Sequence, residues 1–292
     1  MFSSRKHFHG NMLQLFIFGS MISPLLAGCG HKPSASESTA GDAGATATAG
    51  PAGPVDPRLE QSFADATVDP PPEWHRPPDM TMTQKSVGKI YTDVVRLWDA
   101  IRFVSPSGRR LAYRATLDTE LGPIEITLLP EVAPNHVRSF VALSRAGYYD
   151  GLVFDRAIHQ DVAGKPDARV EYIEAGCPLG TGEAGYGSIG YWLKPEIDPQ
   201  APHEEGTVGA SHGAEADVGA CKFYINLSKS ADIDDNYTVF GQVTSGMNVA
   251  RTILALPVRH DAEFPEGDRP VKPVVIRKLT IRTEEVEAPA AE

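Results

Sequence analysis

Excess positive charge is missing from this chain. Lys and Arg number 27 against 38 Asp and Glu, a formal net charge of −11 at pH 7. Binding a phosphate backbone needs a basic footprint, so nucleic acid is excluded as a partner. Cysteine is scarce: Cys29, Cys177 and Cys221 are the three in the chain. Neither they nor the nine histidines fall at the spacings of a zinc ligand set. No metal or other cofactor is expected. A long apolar run is also missing. Met12 to Leu26 is mostly apolar, but Gly19, Ser20, Ser23 and Pro24 interrupt it, and it is too short and broken for a membrane span. No internal repeat is visible.

What is present at the N-terminus fits an export signal. Arg5 and Lys6 form a basic start, the broken apolar run follows, and Leu26-Ala27-Gly28-Cys29 closes it. That ending resembles the bacterial lipobox. The resemblance implies a signal peptide over 1–28 and lipidation of Cys29, which would become the mature N-terminus. Several acyl chains hold a protein to a membrane far better than one, so the protein is expected at the cell envelope, facing the periplasm or the exterior. Residues 29–80 read as a flexible tether. The stretch 30–58 is mostly Ala, Gly, Ser, Thr and Pro without apolar periodicity, and a stiffer Pro-rich piece runs from Asp69 to Pro78, where Trp74 is placed to dock on a neighbouring domain.

From Ser86 the pattern changes. Val87, Ile90, Val94, Leu97 or Trp98, and Ile101 recur at helical spacing, with Lys89, Asp93, Arg96 and Asp99 between them. An amphipathic helix is expected, with its stripe packed as core; the β-branched residues keep a strand open as the alternative. Residues 81–115 form this N-terminal extension, in which Ser105-Pro106-Ser107-Gly108 is a turn and a strand from Leu111 leads into the main domain. After it, Ile124, Ile126 and Leu128 alternate with polar residues as a half-buried strand. Pro134 opens a helix that Gly147 ends. Short strands are expected at 152–158, 172–176, 207–211, 222–227, 238–243 and 274–281, with a second helix over about 245–256. The residues after Glu284 read as a disordered acidic tail over 284–292.

Several blocks then carry a family resemblance: Gly122-Pro123-Ile124-Glu125-Ile126, Ala133-Pro134, Gly147-Tyr148-Tyr149-Asp150-Gly151-Leu152-Val153-Phe154-Asp155-Arg156, Gly180-Thr181-Gly182, Lys222-Phe223-Tyr224-Ile225, Tyr237 to Val243, and Asp268-Arg269-Pro270. In order and spacing they resemble a cyclophilin over residues 116–283. The resemblance implies a mainly β fold, an eight-stranded antiparallel barrel capped by two helices, and peptidyl-prolyl cis-trans isomerase activity. Its substrates would be proline-containing segments of exported proteins, handled by a monomer.

That activity breaks no covalent bond. Its barrier is amide resonance, so the site needs an apolar grip on the proline ring and a fixed donor aimed at the prolyl nitrogen as the amide twists. By resemblance Arg156 is the catalytic donor, and a guanidinium suits the role because it is always charged and rigidly forked. The implied substrate-binding residues are Tyr172, Glu174, Ser211, His212, Lys222, Tyr224, Ile233 and Tyr237.

Several of these depart from the family pattern. Glu174 and Lys222 stand where the family has glutamines. Their opposite charges either pair across the groove, or Glu174 grips Arg156. Asp155 replaces a histidine, Asp232 a tryptophan, and Glu171 aligns near a slot phenylalanine. These changes keep open a second reading, a catalytically weak or inactive peptide-binding or assembly module. Strand alternation puts Lys222, Tyr224 and Asn226 on one face and Phe223, Ile225 and Leu227 on the barrel side. Residues 159–170 exceed the family's connection and form either a lid or an inert surface loop. Cys177 and Cys221 are a candidate disulfide pair, permitted beyond the cytoplasmic membrane.

Overall fold

The computed structural model describes residues 56–69, 76–162, 164–165, 169–182, 188–212, 220–259 and 268–286. The export signal, Cys29 and Trp74 lie outside them. Among the described residues no helix is long and apolar enough to cross a membrane.

Eight antiparallel strands close into a barrel: β2 (Arg110–Thr119), β3 (Gly122–Leu128), β4 (Val153–Asp161), β5 (Arg169–Ala175), β7 (Thr207–Ala210), β8 (Phe223–Asn226), β9 (Val239–Ser245) and β12 (Val274–Val286). Among the described residues four two-residue strands lie outside the barrel: β1 (Thr67–Val68) in the N-terminal segment, β6 (Trp192–Leu193), β10 (Val258–Arg259) and β11 (Arg269–Pro270). Around the barrel the order is β12-β2-β3-β9-β7-β8-β5-β4. Closure leaves the barrel without an unpaired edge. Inward positions of every strand, among them Leu117, Ile124, Ile126, Phe154, Ile173, Val208, Phe223, Ile225 and Ile276, are fully buried. The alternation expected for β8 is present, with Phe223 and Ile225 in the core.

Helices α3 (Pro134–Arg145) and α4 (Met247–Leu254) pack on the barrel. Pro134 sits at the first turn, where its missing N–H costs nothing. Phe140 on α3 meets Tyr149, Phe223 and Phe240 with ring centroids 5.1–5.4 Å apart. The N-terminus of α3 is capped from a distance: Glu196 accepts from Asn135 N at 3.0 Å and His136 N at 2.9 Å. A carboxylate there satisfies orphan N–H groups and opposes the helix dipole.

Two expected boundaries move. The extension does contain a helix, α2 (Val87–Trp98), capped by Ser86, and its stripe Val87, Ile90, Val94 and Trp98 is buried. The strand expected from Leu111 is present as β2, and because it is a barrel strand the barrel starts at Arg110 rather than 116. At the other end, Glu284, Glu285 and Val286 belong to β12 rather than to the expected acidic tail, pairing with Ala112, Leu111 and Arg110. The glutamates are tolerated on this strand because arginines face them: Arg114 Nε lies 2.7 Å from Glu284 and Arg109 Nη1 3.5 Å from Glu285.

The largest correction concerns the tether. Residues 56–69 are ordered, with a 3₁₀ turn at Pro57–Glu60, a one-turn helix α1 (Phe63–Ala66) and β1 paired to β6. Composition misses this because the segment needs no core of its own. Phe63 inserts among Trp98, Tyr191 and Tyr91 at 5.2, 5.2 and 5.9 Å. Buried Arg138 donates to Leu59 O at 2.5 Å, to Gln61 O at 3.4 Å and to Asn135 Oδ1 at 3.0 Å, and Trp98 Nε1 donates to Gln61 O at 3.0 Å. A few side chains docked on an existing surface offset the ordering entropy that a free tether would keep.

Candidate active site

Arg156 owes its direction to a bulge. On β4, Phe154 pairs with Ala175 and Arg156 with Glu174, so Asp155 is an extra residue in the ladder. Without it, residues two apart would share a face. With it, Phe154 fills the core while Arg156 turns outward, its side chain 27% exposed. Bulges commonly re-aim a side chain in this way. The register then sets a row across the sheet: Arg156, Glu174, Tyr224 and Gly209. Gly209 must be small, because a Cβ there would collide with the Tyr224 ring, 2.8 Å from its Cε1.

Glu174 and Lys222 form the pair rather than Glu174 and Arg156. Lys222 Nζ lies 2.5 Å from Glu174 Oε1, with side chains 5% and 2% exposed. Ser211 Oγ donates to Glu174 Oε2. Burial alone would raise the Glu174 pKa, but the Lys222 and Arg156 charges and these hydrogen bonds outweigh it, and the carboxyl lies below its usual range. Lys222 is likewise pulled down by burial and carried above its usual value by Glu174 and Asp155. The neighbouring Asp155 feels the same Lys222 charge and that of Arg269, but burial outweighs them. Burial first, then the Glu174 charge, raises its pKa to about 7. Its Oδ2 accepts from Cys177 N at 3.3 Å, while Oδ1 has no hydrogen-bond partner among the described residues.

Arg156 has a different partner, one that the sequence analysis did not single out. Asp268 Oδ2 accepts from Arg156 Nε at 2.7 Å and lies 2.6 Å from Nη2. Burial pulls the guanidinium pKa down, but Glu174, Tyr172 and Asp268 together raise it above its ordinary value, so Arg156 stays charged. The Asp268-Arg269-Pro270 block was visible in the sequence as a match; its contact with Arg156 was not.

The wall beside Arg156 is aromatic. Tyr172 and Tyr224 lie 5.4 Å apart, and Tyr224 meets Tyr237 edge-on at 5.9 Å. His212 stacks on Tyr237 at 4.2 Å and lies 2.9 Å from Asn236 O. Tyr224 is locked from behind by His203, whose Nε2 is 2.6 Å from the phenol oxygen and whose Nδ1 is 2.7 Å from Asp234 Oδ1. With Nδ1–H donating to the carboxylate, Nε2 accepts from the phenol. The chain His203–Asp234 was also missed by the sequence analysis. Ile233 lies half-buried on a short 3₁₀ turn, Ala231–Ile233.

The remaining departures resolve away from the wall. Glu171 pairs with His159 at 2.9 Å, and Asp232 pairs with Lys165. At the two ends of the long connection 159–170 the β4–β5 hairpin is extended, with His159, Gln160 and Asp161 laddered to Glu171, Val170 and Arg169. The disulfide is not formed: Cys177 and Cys221 are both buried and are not bonded to each other. Burial raises the Cys221 pKa to about 12, which keeps it protonated and unreactive.

Comparison with known proteins decides the family. The model for "Cyclophilin type peptidyl-prolyl cis-trans isomerase/CLD" matches residues 114–281. The chain belongs to the cyclophilin-type peptidyl-prolyl cis-trans isomerase family. Peptidyl-prolyl cis-trans isomerase ppi1 of Schizosaccharomyces pombe is 32% identical over 56% of this chain and 94% of its own length. Peptidyl-prolyl cis-trans isomerase-like 1 of Neurospora crassa is 30% identical over 61% of this chain and 100% of its own. A crystal structure of a cyclophilin-type isomerase from Cryptosporidium parvum aligns with 59% of this chain and 98% of its own at 21% identity, with a TM-score of 0.48. On the family model and the curated relatives, this cyclophilin is an enzyme of the isomerase class.

Proposed function

We propose that this cyclophilin isomerises Xaa-Pro bonds in exported proteins at the bacterial envelope, with Arg156 as the donor to the prolyl nitrogen. The supporting observation is Arg156 itself: charged, partly open to solvent, oriented by Asp268, and set beside the Tyr172–Tyr224–Tyr237 wall. Rings of this kind grip a proline, and the remaining guanidinium N–H groups favour the twisted amide, whose nitrogen lone pair is exposed, over either planar form. Lipidation of Cys29, suggested by the Leu26-Ala27-Gly28-Cys29 motif, would keep the barrel near clients emerging at the membrane.

NMR exchange spectroscopy on Xaa-Pro peptides tests the chemistry. The parent accelerates exchange and Arg156→Ala loses roughly a hundredfold, as expected for a preorganised donor. No acceleration by the parent across a varied peptide set would sink the reading. A second reading, a peptide-binding module with weak catalysis, draws on Asp268, which already occupies part of the guanidinium; peptide binding without acceleration would favour it. For the location, mass spectrometry of the membrane-extracted protein is expected to find acyl chains on Cys29, and Cys29→Ala to release the protein from membranes.

A further inference from the structure

The chain ahead of α2 makes a tight turn whose contacts lead to Arg156. Thr81 N donates to Lys85 O at 2.9 Å and Gln84 N to Thr81 O at 2.9 Å, with Gln84 in the left-handed region at φ 61°. Met80 and Ser86 bridge its base. The turn is bolted to the barrel by Lys85, whose Nζ donates to Gly147 O and Asp150 O at 2.5 Å each.

From this fixed point the turn reaches the loop Cys177–Gly182. Met82 N donates to Pro178 O at 2.8 Å, and the Met82 side chain lies against Gly180 so closely that a Cβ on the glycine would collide with its sulfur. The loop in turn lies against the arginine. A Cβ on Gly182 would stand 2.7 Å from Arg156 Cγ and would overlap the Arg269 guanidinium. The base of the same loop is held by Asp155, the residue before the arginine, through Cys177 N. Gly180 and Gly182 both take φ near +65°, a conformation that does not stiffen a loop by itself. Its position depends on what presses on it.

We propose that the Thr81–Lys85 turn is a brace for the Cys177–Gly182 loop and thereby a positioning element for Arg156, with Met82 as its contact residue. The proposal rests on the isomerase reading for its effect on rate, but its effect on Arg156 can be read without catalysis. Met82 is 40% exposed, so replacing it does not open the core. The extension is thus more than a spacer between anchor and barrel: it supplies part of the backing of the site.

The test compares the full-length parent with Met82→Gly and Met82→Leu. Three readouts are taken: the Arg156 Nε–Hε resonance, identified by its loss in Arg156→Lys; hydrogen exchange of the 179–182 amides; and kcat and KM on an Xaa-Pro peptide. Met82→Gly is expected to shift and broaden the Arg156 resonance and to speed exchange in the loop. It should lower kcat roughly tenfold with little change in KM, since small misplacements of a catalytic group cost rate rather than binding. Met82→Leu should restore all three. An unchanged Arg156 resonance in Met82→Gly overturns the brace, whether or not the loop exchanges faster. If the parent itself does not accelerate isomerisation, the isomerase reading fails, and the arginine resonance still decides the brace.

Discussion

Two ion pairs lie side by side at this site and behave as opposites. Lys222–Glu174 is sealed, with both side chains almost fully buried. Arg156–Asp268 is open, with the guanidinium partly in solvent. Desolvation makes a buried pair weak evidence for stability, yet breaking one half is costly because a bare charge remains. The open pair loses less on breaking and leaves donors facing solvent. The difference separates a charge that holds the wall together from a charge that can act on a substrate. At Glu174 and Lys222 the opposite charges form a neutral buried strut, and Arg156 is held by a different carboxylate, Asp268.

The sealed pair should give the largest effect when broken. Lys222→Met strands Glu174 and is expected to cost about 3–5 kcal/mol in urea unfolding, whereas Glu174→Gln/Lys222→Gln together should recover most of that loss. Equal costs for single and double variants would show that the two residues do not form a unit.

Asp155, wedged between the pairs, comes next. Its native pKa of about 7 lies above the ordinary 3.8, so the native state holds a proton that the unfolded state has released across that window. Its contribution to stability is present below about pH 4 and is lost as pH rises through 7. Asp155→Asn is therefore expected to be more stable than the parent at pH 8, by an amount on the order of a few kcal/mol, and similar to it at pH 4. A difference independent of pH would remove Asp155 from the titrating group.

The open pair should give the smallest stability change and a rate change instead. Asp268→Asn weakens the hold on Arg156 and is expected to lower kcat roughly tenfold, with an unfolding midpoint near the parent's. A rise in kcat would make Asp268 a competitor for the arginine and strengthen the weak-catalysis reading.

The barrel was legible because its signals are local. Alternation at Ile124–Leu128, the Pro134 start and the Gly147 stop each mark an element within a few residues. The amphipathic stripe of α2 was equally plain. The site was legible in part. Arg156 could be located from its neighbours, but alternation would have placed it on the same side as Phe154; the bulge at Asp155 that separates them is a property of strand pairing, not of either strand alone. The choice of Glu174's partner depended on the register of β5 against β8. Asp268 and His203 join the site across more than twenty residues of chain, where spacing carries no information. The ordering of residues 56–69 failed to show for a related reason: the partners of Phe63 and Leu59 are supplied by α2 and α3, so the segment's own composition describes only its free state.

That ordered strap has a mechanical consequence. A pull on the chain from the N-terminal side of Asp56 arrives first at Leu59, Gln61 and Phe63, which are clasped by Arg138 and Trp98, and then at Ala66–Val68, where Lys194 N donates to Ala66 O at 3.0 Å and β1 lies on β6. These contacts must yield before load passes to the turn at Thr81–Lys85. The strap acts as strain relief, as at the end of a cable: load entering at Asp56 is taken up by these contacts before it reaches the turn packed against the Cys177–Gly182 loop beside Arg156.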